Sequence, residues 1–221
     1  MKRYIAIAGN IGVGKSTLVG KICNRLGWEP YYEPVAENPY LEDFYSNMES
    51  WSFHSQVFFL THRLRSHKEL LANPSSVVQD RSVYEDAEIF AKNLHQRGYI
   101  TDRDYKTYLG LFELLVEMLK PPDLVVYLQA SVPTLKARIA NRGRNIESNI
   151  SEEYLTQLSG LYDSWIDNFS LCPVLTVPAD DMDFVAFPGH MELIVKKVEE
   201  KLDNRGEVIF APEDIRQYLS R

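Results

Sequence analysis

A run of nine residues close to the amino terminus has the composition and spacing of a phosphate-binding loop. The run reads Gly9-Asn10-Ile11-Gly12-Val13-Gly14-Lys15-Ser16-Thr17 and matches the pattern GxxxxGK(S/T) in full. Glycines let the backbone curl until successive N–H groups point at phosphate oxygens, and the following helix adds the positive end of its dipole. In this motif the lysine contacts the β- and γ-phosphates, and the next hydroxyl ligates magnesium. We therefore expect these residues to bind ATP or GTP, with Ser16 as a Mg²⁺ ligand.

Two acidic residues follow predicted strands, at the edge of the sheet where the phosphate loop begins. Glu33 follows the second strand, and a carboxylate there can accept a proton from a substrate hydroxyl. Asp80 and Arg81 follow the third strand. Asp80 suits the outer coordination of magnesium, and Arg81 can neutralise charge on a phosphoryl group in transfer. The plainer alternatives are a solvated Glu33 and an Asp80–Arg81 pair that caps the next helix.

Three arginines surround a glycine in the second half of the chain. Arg138 and Arg142 are one helical turn apart, Gly143 breaks the helix, and Arg144 follows on a loop. Arginine presents a planar, permanently charged fork that suits phosphate. The grouping predicts a lid that closes over ATP and excludes water, with a basic surface stripe as the alternative.

Short apolar runs that alternate with longer helical patterns must position these residues. Continuous apolar runs predict buried parallel strands, at 4–8, 29–32, 76–79, 124–128 and 174–177. Helices are predicted at 15–26, 52–71, 84–94, 102–118, 132–141, 152–169 and 190–202. We expect an α/β P-loop kinase fold with about five parallel strands, helices on both faces and an arginine-rich lid.

The composition bounds the possible functions. The 221 residues are 45% hydrophobic and 25% charged, which is typical of one globular domain, here 1–203 with a polar tail at 204–221 that is compatible with a short helix. A net charge of −7 disfavours a nucleic-acid surface. We expect no membrane span and no leader segment. Two cysteines without a CxxC motif favour a reducing compartment, so we expect a cytoplasmic enzyme.

Together these motifs resemble the deoxynucleoside kinase family, which includes deoxycytidine, deoxyguanosine and deoxyadenosine kinases. The resemblance extends from Lys2 to about Leu202. Besides the phosphate loop it is carried by Glu33-Pro34-Val35, Trp51-Ser52-Phe53 with Gln56, Asp80-Arg81-Ser82, Arg142-Gly143-Arg144 and Asp181-Met182-Asp183-Phe184. Family members often have Glu-Arg-Ser where this chain has Asp80-Arg81-Ser82, so the acid is kept on a shorter arm.

The resemblance implies a role for each matching residue. Glu33 is the general base on the 5′-hydroxyl, Arg81 steadies both Glu33 and the phosphoryl group, and Lys15 is the third catalytic residue. Tyr45 and Glu147 hold the 3′-hydroxyl of the sugar. The ATP-binding residues outside the phosphate loop are Arg138, Arg142, Arg144, Asp181, Asp183 and Phe184, the last three from the loop that lies against adenine. The resemblance also implies a homodimer through helices 52–71 and 102–118.

Three polar residues match the family's base-reading positions. Gln56 and Arg63 are seven residues apart, hence on one face of a helix that is otherwise typical of the core. Asp86 is the natural partner of a buried Arg63, because a buried charge must be compensated. The amide of Gln56 can donate and accept, and Asp86 also favours a donor such as an exocyclic amino group. Thymine offers the acceptor O4 instead, so thymidine is disfavoured.

We therefore expect an enzyme that transfers the γ-phosphate of ATP, with Mg²⁺, to the 5′-hydroxyl of a small-molecule deoxynucleoside for nucleotide salvage. Deoxyadenosine is slightly favoured over deoxyguanosine and deoxycytidine, by similarity to bacterial-type members. A nucleoside-monophosphate kinase of the thymidylate kinase type is one alternative, although Glu33 would repel its phosphorylated acceptor. A regulatory GTPase or a P-loop binding module is another, but a GTPase is expected to carry Asn-Lys-x-Asp, which does not occur.

Overall fold

The structure, a computed structural model, describes residues 2–33, 37–144, 150–203 and 208–218. The strands in these residues are β1 (Tyr4–Gly9), β2 (Glu29–Tyr31), β3 (Val77–Asp80), β4 (Leu124–Gln129) and β5 (Val174–Pro178). The helices are α1 (Lys15–Leu26), α2 (Leu41–Ser46), α3 (Met48–Ala72), α4 (Val83–Glu85), α5 (Lys92–Gln96), α6 (Asp102–Val116), α7 (Val132–Arg142), α8 (Glu152–Asn168), α9 (Pro188–Leu202) and α10 (Pro212–Tyr218), with a π-helical segment (Asp86–Ala91) between α4 and α5.

The five strands form one parallel sheet in the order β2-β3-β1-β4-β5. The central strand β1 pairs with β3, where Ile7 lies opposite Asp80, and with β4, where Gly9 lies opposite Leu128. This confirms the predicted α/β fold with a parallel sheet. Because parallel strands end at one edge, the phosphate loop after β1, Asp80 at the end of β3 and Glu33 just after β2 are brought together.

Successive residues of β1 face two separate cores. Ile5 and Ile7 are fully buried on one face, against α1, α7 and α9. Tyr4, Ala6 and Ala8 are buried on the other, against α3, α6 and α8. Full burial of an isoleucine contributes about 1.5–3 kcal/mol, which explains why the central strands read as continuous apolar runs.

The helix predicted over 84–94 is interrupted in the structure. Ser82 caps α4 in a capping box with Glu85, and the chain then continues as the π-helical segment before α5. A π turn inserts one residue into the helical ladder and changes the direction of the following side chains, and such segments are frequent at functional sites. The 3.6-residue period of a sequence pattern does not reveal such an insertion.

Two short helices lie outside the helical segments that periodicity predicts, and one of them, α10, falls in the polar tail that was judged compatible with a short helix. The six residues of α2 are too few to show a helical period. In the polar tail, α10 packs against α9 and buries Ile215. Among the described residues, no helix combines the length and the low polarity that crossing a bilayer requires.

Candidate active site

The phosphate loop has the backbone that its glycines predict. Gly9, Gly12 and Gly14 all have positive φ, and a Cβ atom on Gly12 would lie 2.6 Å from Cγ1 of Ile139. Lys15 Nζ donates to the carbonyl oxygens of Gly9 (2.9 Å) and Asn10 (3.0 Å), so the lysine folds back across its own loop. Burial first, and then the neighbouring Arg81, lower the pKa of Lys15 to about 8. The negative charge of a bound phosphate would raise the pKa of Lys15 again, because it stabilises the charged ammonium group.

Two side chains fix the phosphate loop to the helices around it. The side-chain amide of Asn10 donates to the carbonyl oxygen of Leu155 and to Ser159 Oγ, both at 2.9 Å, which ties the loop to α8. Arg138, on α7, donates to the carbonyl oxygens of Val13 (2.8 Å) and Ala179 (2.7 Å). The guanidinium of this predicted lid residue therefore supports the loop from the side.

Arg81 leaves β3 in a left-handed backbone conformation, with φ of 68°. For a non-glycine residue this costs about 1–2 kcal/mol. Its N–H donates to Ile7 (3.0 Å), its carbonyl accepts from Arg63 (3.2 Å), and its guanidinium lies 4.3 Å from the ring centroid of Phe90. These contacts hold the strained turn, which directs the Arg81 side chain into the cavity and lets Ser82 begin α4.

Glu33 lies between two arginines. Its Oε1 atom is 2.9 Å from Arg63 Nη2 in a hydrogen bond and 3.1 Å from Arg81 Nε, an ion pair without hydrogen-bond alignment. Burial by itself would raise the pKa of Glu33, but Arg81, Arg63 and Lys15 outweigh it and hold the pKa at about 2. The carboxylate is therefore ionised at every physiological pH.

All five N–H donors of Arg63 are used within the protein. Nε and Nη2 form a bidentate pair with Asp86, both at 3.0 Å, and Nη2 also donates to Glu33. Nη1 donates to the backbone carbonyls of Asp80 (3.3 Å) and Arg81 (3.2 Å). Arg63 is buried behind the cavity wall, so it positions Glu33 and Asp86, whereas the sequence pattern placed it among the base-contacting residues.

Glu85 and Tyr162 form a charged cluster with Glu33, Arg63 and Arg81, and neither is among the site residues predicted from the sequence. Glu85 is fully buried and its carboxylate accepts from Ser82 N (2.7 Å) and Tyr162 Oη (2.8 Å), with Gly9 N at 3.4 Å. Arg81 Nη1 donates to Tyr162 Oη at 2.8 Å. Burial raises the pKa of Glu85 despite the attraction of Arg81. The S-x-x-E spacing from Ser82 to Glu85 was the available sequence signal.

Asp80 and Ser16 lie together at the phosphate loop. Ser16 Oγ donates to Asp80 Oδ2, while Asp80 Oδ1 is buried and has no hydrogen-bond partner among the described residues. In the part of the chain that the structure describes, no group of three or more His, Cys, Asp or Glu side chains could hold a metal ion by itself. A hydroxyl and one carboxylate fit Mg²⁺ in a nucleotide site, because that ion keeps several waters and takes ligands from phosphates.

One cavity of about 780 Å³ joins most of these groups. Its described lining includes residues 11–17 of the phosphate loop, Glu33, Leu41, Phe44, Tyr45, Gln56, Phe59, Asp80, Arg81, Asp86, Phe90, Arg138, Arg142, Arg144, Tyr154, Met182, Asp183, Phe184 and Val185. Gln56 Oε1 is buried there without a hydrogen-bond partner in the part of the chain that is described, which fits an amide aimed at a ligand. Glu147, Pro34 and Val35 lie outside the described residues.

The loop after β5 differs from the prediction in one residue. Met182 and Phe184 are buried and line the cavity, whereas Asp181 is exposed and does not line it. Asp183 lines the cavity, but its Oδ1 accepts from the N–H groups of Val185 and Ala186, both at 2.9 Å. These hydrogen bonds lower the pKa of the Asp183 carboxyl, and the one from the Ala186 N–H has the largest effect. The cavity wall thus begins at Met182, one residue later than expected.

Comparison with known proteins identifies relatives over nearly the whole chain. The family model described as deoxynucleoside kinase matches residues 5–203. The chain is 40% identical over 196 residues to a deoxyadenosine/deoxycytidine kinase of Bacillus subtilis, covering 88% of this chain and 90% of that protein. It is 35% identical over 212 residues to a deoxyguanosine kinase of Lactobacillus johnsonii, covering 92% of this chain and 94% of that protein. The structure of deoxyadenosine kinase from M. mycoides with bound dATP is similar at a TM-score of 0.80 and 33% identity, covering 89% of this chain and 99% of that one.

Replacing Tyr162 with Phe removes one hydroxyl that serves both Arg81 and Glu85. We expect the free energy of unfolding to fall by about 1–3 kcal/mol, because two buried charged groups each lose a partner. Urea unfolding measures the loss. Tyr127→Phe is the matched control. In the wild-type protein the ring of Tyr127 stacks on that of Tyr162, with 5.8 Å between centroids, but the Tyr127 hydroxyl donates to the exposed Asp163. Equal losses in the two variants would contradict the role given to Tyr162.

Proposed function

The chain belongs to the deoxynucleoside kinase family, and we propose that it transfers the γ-phosphate of ATP to the 5′-hydroxyl of deoxyadenosine, with deoxyguanosine and deoxycytidine as further substrates. It is an ATP-dependent phosphotransferase. The observation that carries the proposal is the position of Glu33, which lines the same cavity as the phosphate loop. A carboxylate there suits a neutral hydroxyl and repels an acceptor that is already phosphorylated.

In this proposal Glu33 accepts a hydrogen bond from the 5′-hydroxyl and takes its proton. A carboxylate with a pKa of about 2 is a weak base, because Arg81 and Arg63 stabilise its ionised form. The low basicity is compatible with phosphoryl transfer, whose loose transition state demands little proton transfer before the phosphorus–oxygen bond forms. Glu33 therefore acts mainly by orienting the nucleophile, and receives the proton as the new bond develops.

The donor phosphates are handled by cations at the other end of the cavity. Lys15 and Arg81 face the transferring group, and Arg142 and Arg144 line the same cavity from the end of α7. Ser16 and Asp80 would hold Mg²⁺, which when bound neutralises charge that develops on the phosphates. Residues 182–185 would face the adenine of ATP, with Phe184 also close to the phosphate loop, 3.3 Å from the position of a Cβ atom on Gly14.

The deoxynucleoside base is read by Gln56 and Asp86. Because Arg63 has no N–H left to offer, the Asp86 side of the cavity presents acceptors only, and Gln56 adds one donor and one acceptor. Adenine and cytosine bring an amino group to such a site, whereas thymine brings the acceptor O4. When thymine O4 faces the acceptors of Asp86, neither group has a donor. Such an unpaired buried contact costs about 1–3 kcal/mol, which disfavours thymidine by tenfold or more. Tyr45 and Glu147 are proposed to hold the 3′-hydroxyl.

We extend the proposal to a cytoplasmic homodimer. Leu111 and Leu114, on α6, and Met118 beyond its end are 44%, 65% and 74% exposed, and α6 packs on the long helix α3. Apolar side chains spaced three and four apart on one helix face favour association with a second copy. Both cysteines, Cys23 and Cys172, are free thiols, which suits a reducing compartment.

Glu33→Gln tests the assignment of the acceptor. We expect turnover of deoxyadenosine to fall by about 10²-fold while deoxyadenosine still binds, because the amide cannot take the proton. The factor should be the same at pH 6 and pH 8, since the carboxylate, with a pKa of about 2, is fully ionised at both. Unchanged turnover would make Glu33 a structural acid, and a factor that shrinks toward pH 6 would contradict its low pKa.

Steady-state assays with the four deoxynucleosides test the base preference. We expect kcat/KM to be highest for deoxyadenosine and lower by about tenfold or more for thymidine. Gln56→Leu, which keeps the volume and removes the amide, should lower kcat/KM for deoxyadenosine by about tenfold, with the KM for ATP unchanged as an internal control. Thymidine as the best substrate would overturn the assignment of Gln56 and Asp86.

Light scattering tests the dimer. We expect twice the mass of one chain at micromolar concentration for the wild-type protein, and the mass of one chain for Leu114→Asp, because a charge buried in an apolar interface is strongly unfavourable. Lys106→Glu, a charge change at an exposed position of the same helix, is the control. A wild-type mass of one chain would remove the dimer from the proposal.

A further inference from the structure

The C-terminal helix α10 lies outside residues 5–203, which the family model matches, yet it is part of the core. Ile215 is only 7% exposed and belongs to the same apolar cluster as Met182 and Phe184, two residues that line the cavity. Asp214 Oδ2 pairs with Lys197 Nζ, on α9, at 3.4 Å. The tail is therefore held against α9 by apolar packing on one side and an ion pair on the other.

The last described residue of α10 rests on the first turn of α9. A Cβ atom on Gly189 would overlap the backbone carbonyl oxygen of Tyr218 and lie 2.9 Å from its carbonyl carbon. Both of these are backbone atoms, which cannot rotate away as the end of a side chain can. Only glycine leaves room for the carboxyl end of α10 at this position.

The first turn of α9 is directly connected to the segment that lines the cavity. Phe187 N donates to the carbonyl oxygen of Asp183 at 3.0 Å, and His190 N donates to that of Phe187 at 3.1 Å. Asp183 in turn accepts from Val185 and Ala186. The hydrogen bond from Phe187 to Asp183 thus joins the cavity-lining residues to the turn on which α10 rests, and the other three hold the segment and the turn on either side of it.

We propose that α10 is a positioning element for the donor site: by packing on Gly189 and burying Ile215, it holds residues 182–185 in the conformation that binds the adenine of ATP. The helix has no described residue in the lining of the cavity, so it acts through α9 and the apolar cluster. The inference rests on the proposed function in one respect, the assignment of residues 182–185 to the base of ATP.

If α10 acts in this way, its loss weakens the binding of ATP but not that of deoxyadenosine. Without α10 in place, residues 182–185 would adopt the binding conformation for only part of the time, and the dissociation constant for ATP rises in inverse proportion to that fraction. The deoxynucleoside end of the cavity is built by α2, α3 and the π-helical segment, none of which includes Gly189 or Ile215. Its affinity for deoxyadenosine should not depend on α10.

The test compares full-length Gly189→Ala and Ile215→Ala with the wild-type protein by isothermal titration calorimetry, using ATP and deoxyadenosine separately. We expect the Kd for ATP to rise about tenfold, as it does when one molecule in ten is competent, with the Kd for deoxyadenosine unchanged. Two matched controls should leave both constants unchanged: Gly160→Ala, where a Cβ atom meets nothing within 4 Å, and Ile209→Ala, in the same tail but 60% exposed.

Hydrogen exchange gives a second readout that needs no ligand. The amides of Val185 and Ala186 should exchange faster in both α10 variants than in the controls, because their hydrogen bonds to Asp183 open more often. An unchanged Kd for ATP, or an equal rise for ATP and deoxyadenosine, would overturn the proposal. If Gly189→Ala does not fold, Ile215→Ala decides alone. A failure of the proposed function is recognised separately, as a wild-type protein that does not phosphorylate deoxyadenosine.

Discussion

A cluster of buried charges organises this protein. The guanidinium groups of Arg63 and Arg81 and the carboxylates of Glu33, Glu85 and Asp86 lie together at one edge of the sheet. All are buried except Glu33, whose side chain is 16% exposed where it lines the cavity. A buried charge without a partner costs several kcal/mol, so each group constrains the position of the next. The strained turn at Arg81, the capping box at Ser82 and the π-helical segment that carries Asp86 all belong to this one arrangement.

The cluster also sets the chemical character of the site. Because Arg63 uses every donor on Asp86, Glu33 and two backbone carbonyls, the base end of the cavity offers acceptors and one amide. Because Glu33 is paired twice, it is ionised but weakly basic, which suits a reaction that requires an oriented hydroxyl more than a strong base. In the proposed function, selection of the acceptor and activation of its hydroxyl thus both involve Arg63, which contacts Asp86 and Glu33.

The donor end of the cavity is built differently. There the backbone provides most of the contacts: positive φ angles in the phosphate loop, carbonyl oxygens that hold Lys15 and Arg138, and the turn closed by Asp183. The elements packed behind this site include α7 and α9, and α10 packs on α9; we propose that the conformation of the site depends on all three. In the charged cluster, by contrast, most contacts are made between side chains of its own members, with Tyr162 as a further partner.

The sequence by itself determined the phosphate loop, the parallel sheet and the order of most elements. It also pointed to five candidate site residues that line one cavity: Glu33, Gln56, Asp80, Arg81 and Asp86. Glycine spacing, apolar runs and strand-end residues are local signals that act within a few positions of the chain, whereas Gln56 and Asp86 were assigned from the resemblance to the family. The tertiary structure alone decided that Arg63 lies behind the wall, that Met182 rather than Asp181 lines the cavity, that Glu85 and Tyr162 pair with Arg81, and that α10 packs on α9. Each of these depends on contacts between residues far apart in the chain, or on one inserted helical residue, and neither leaves a periodic pattern in a single sequence.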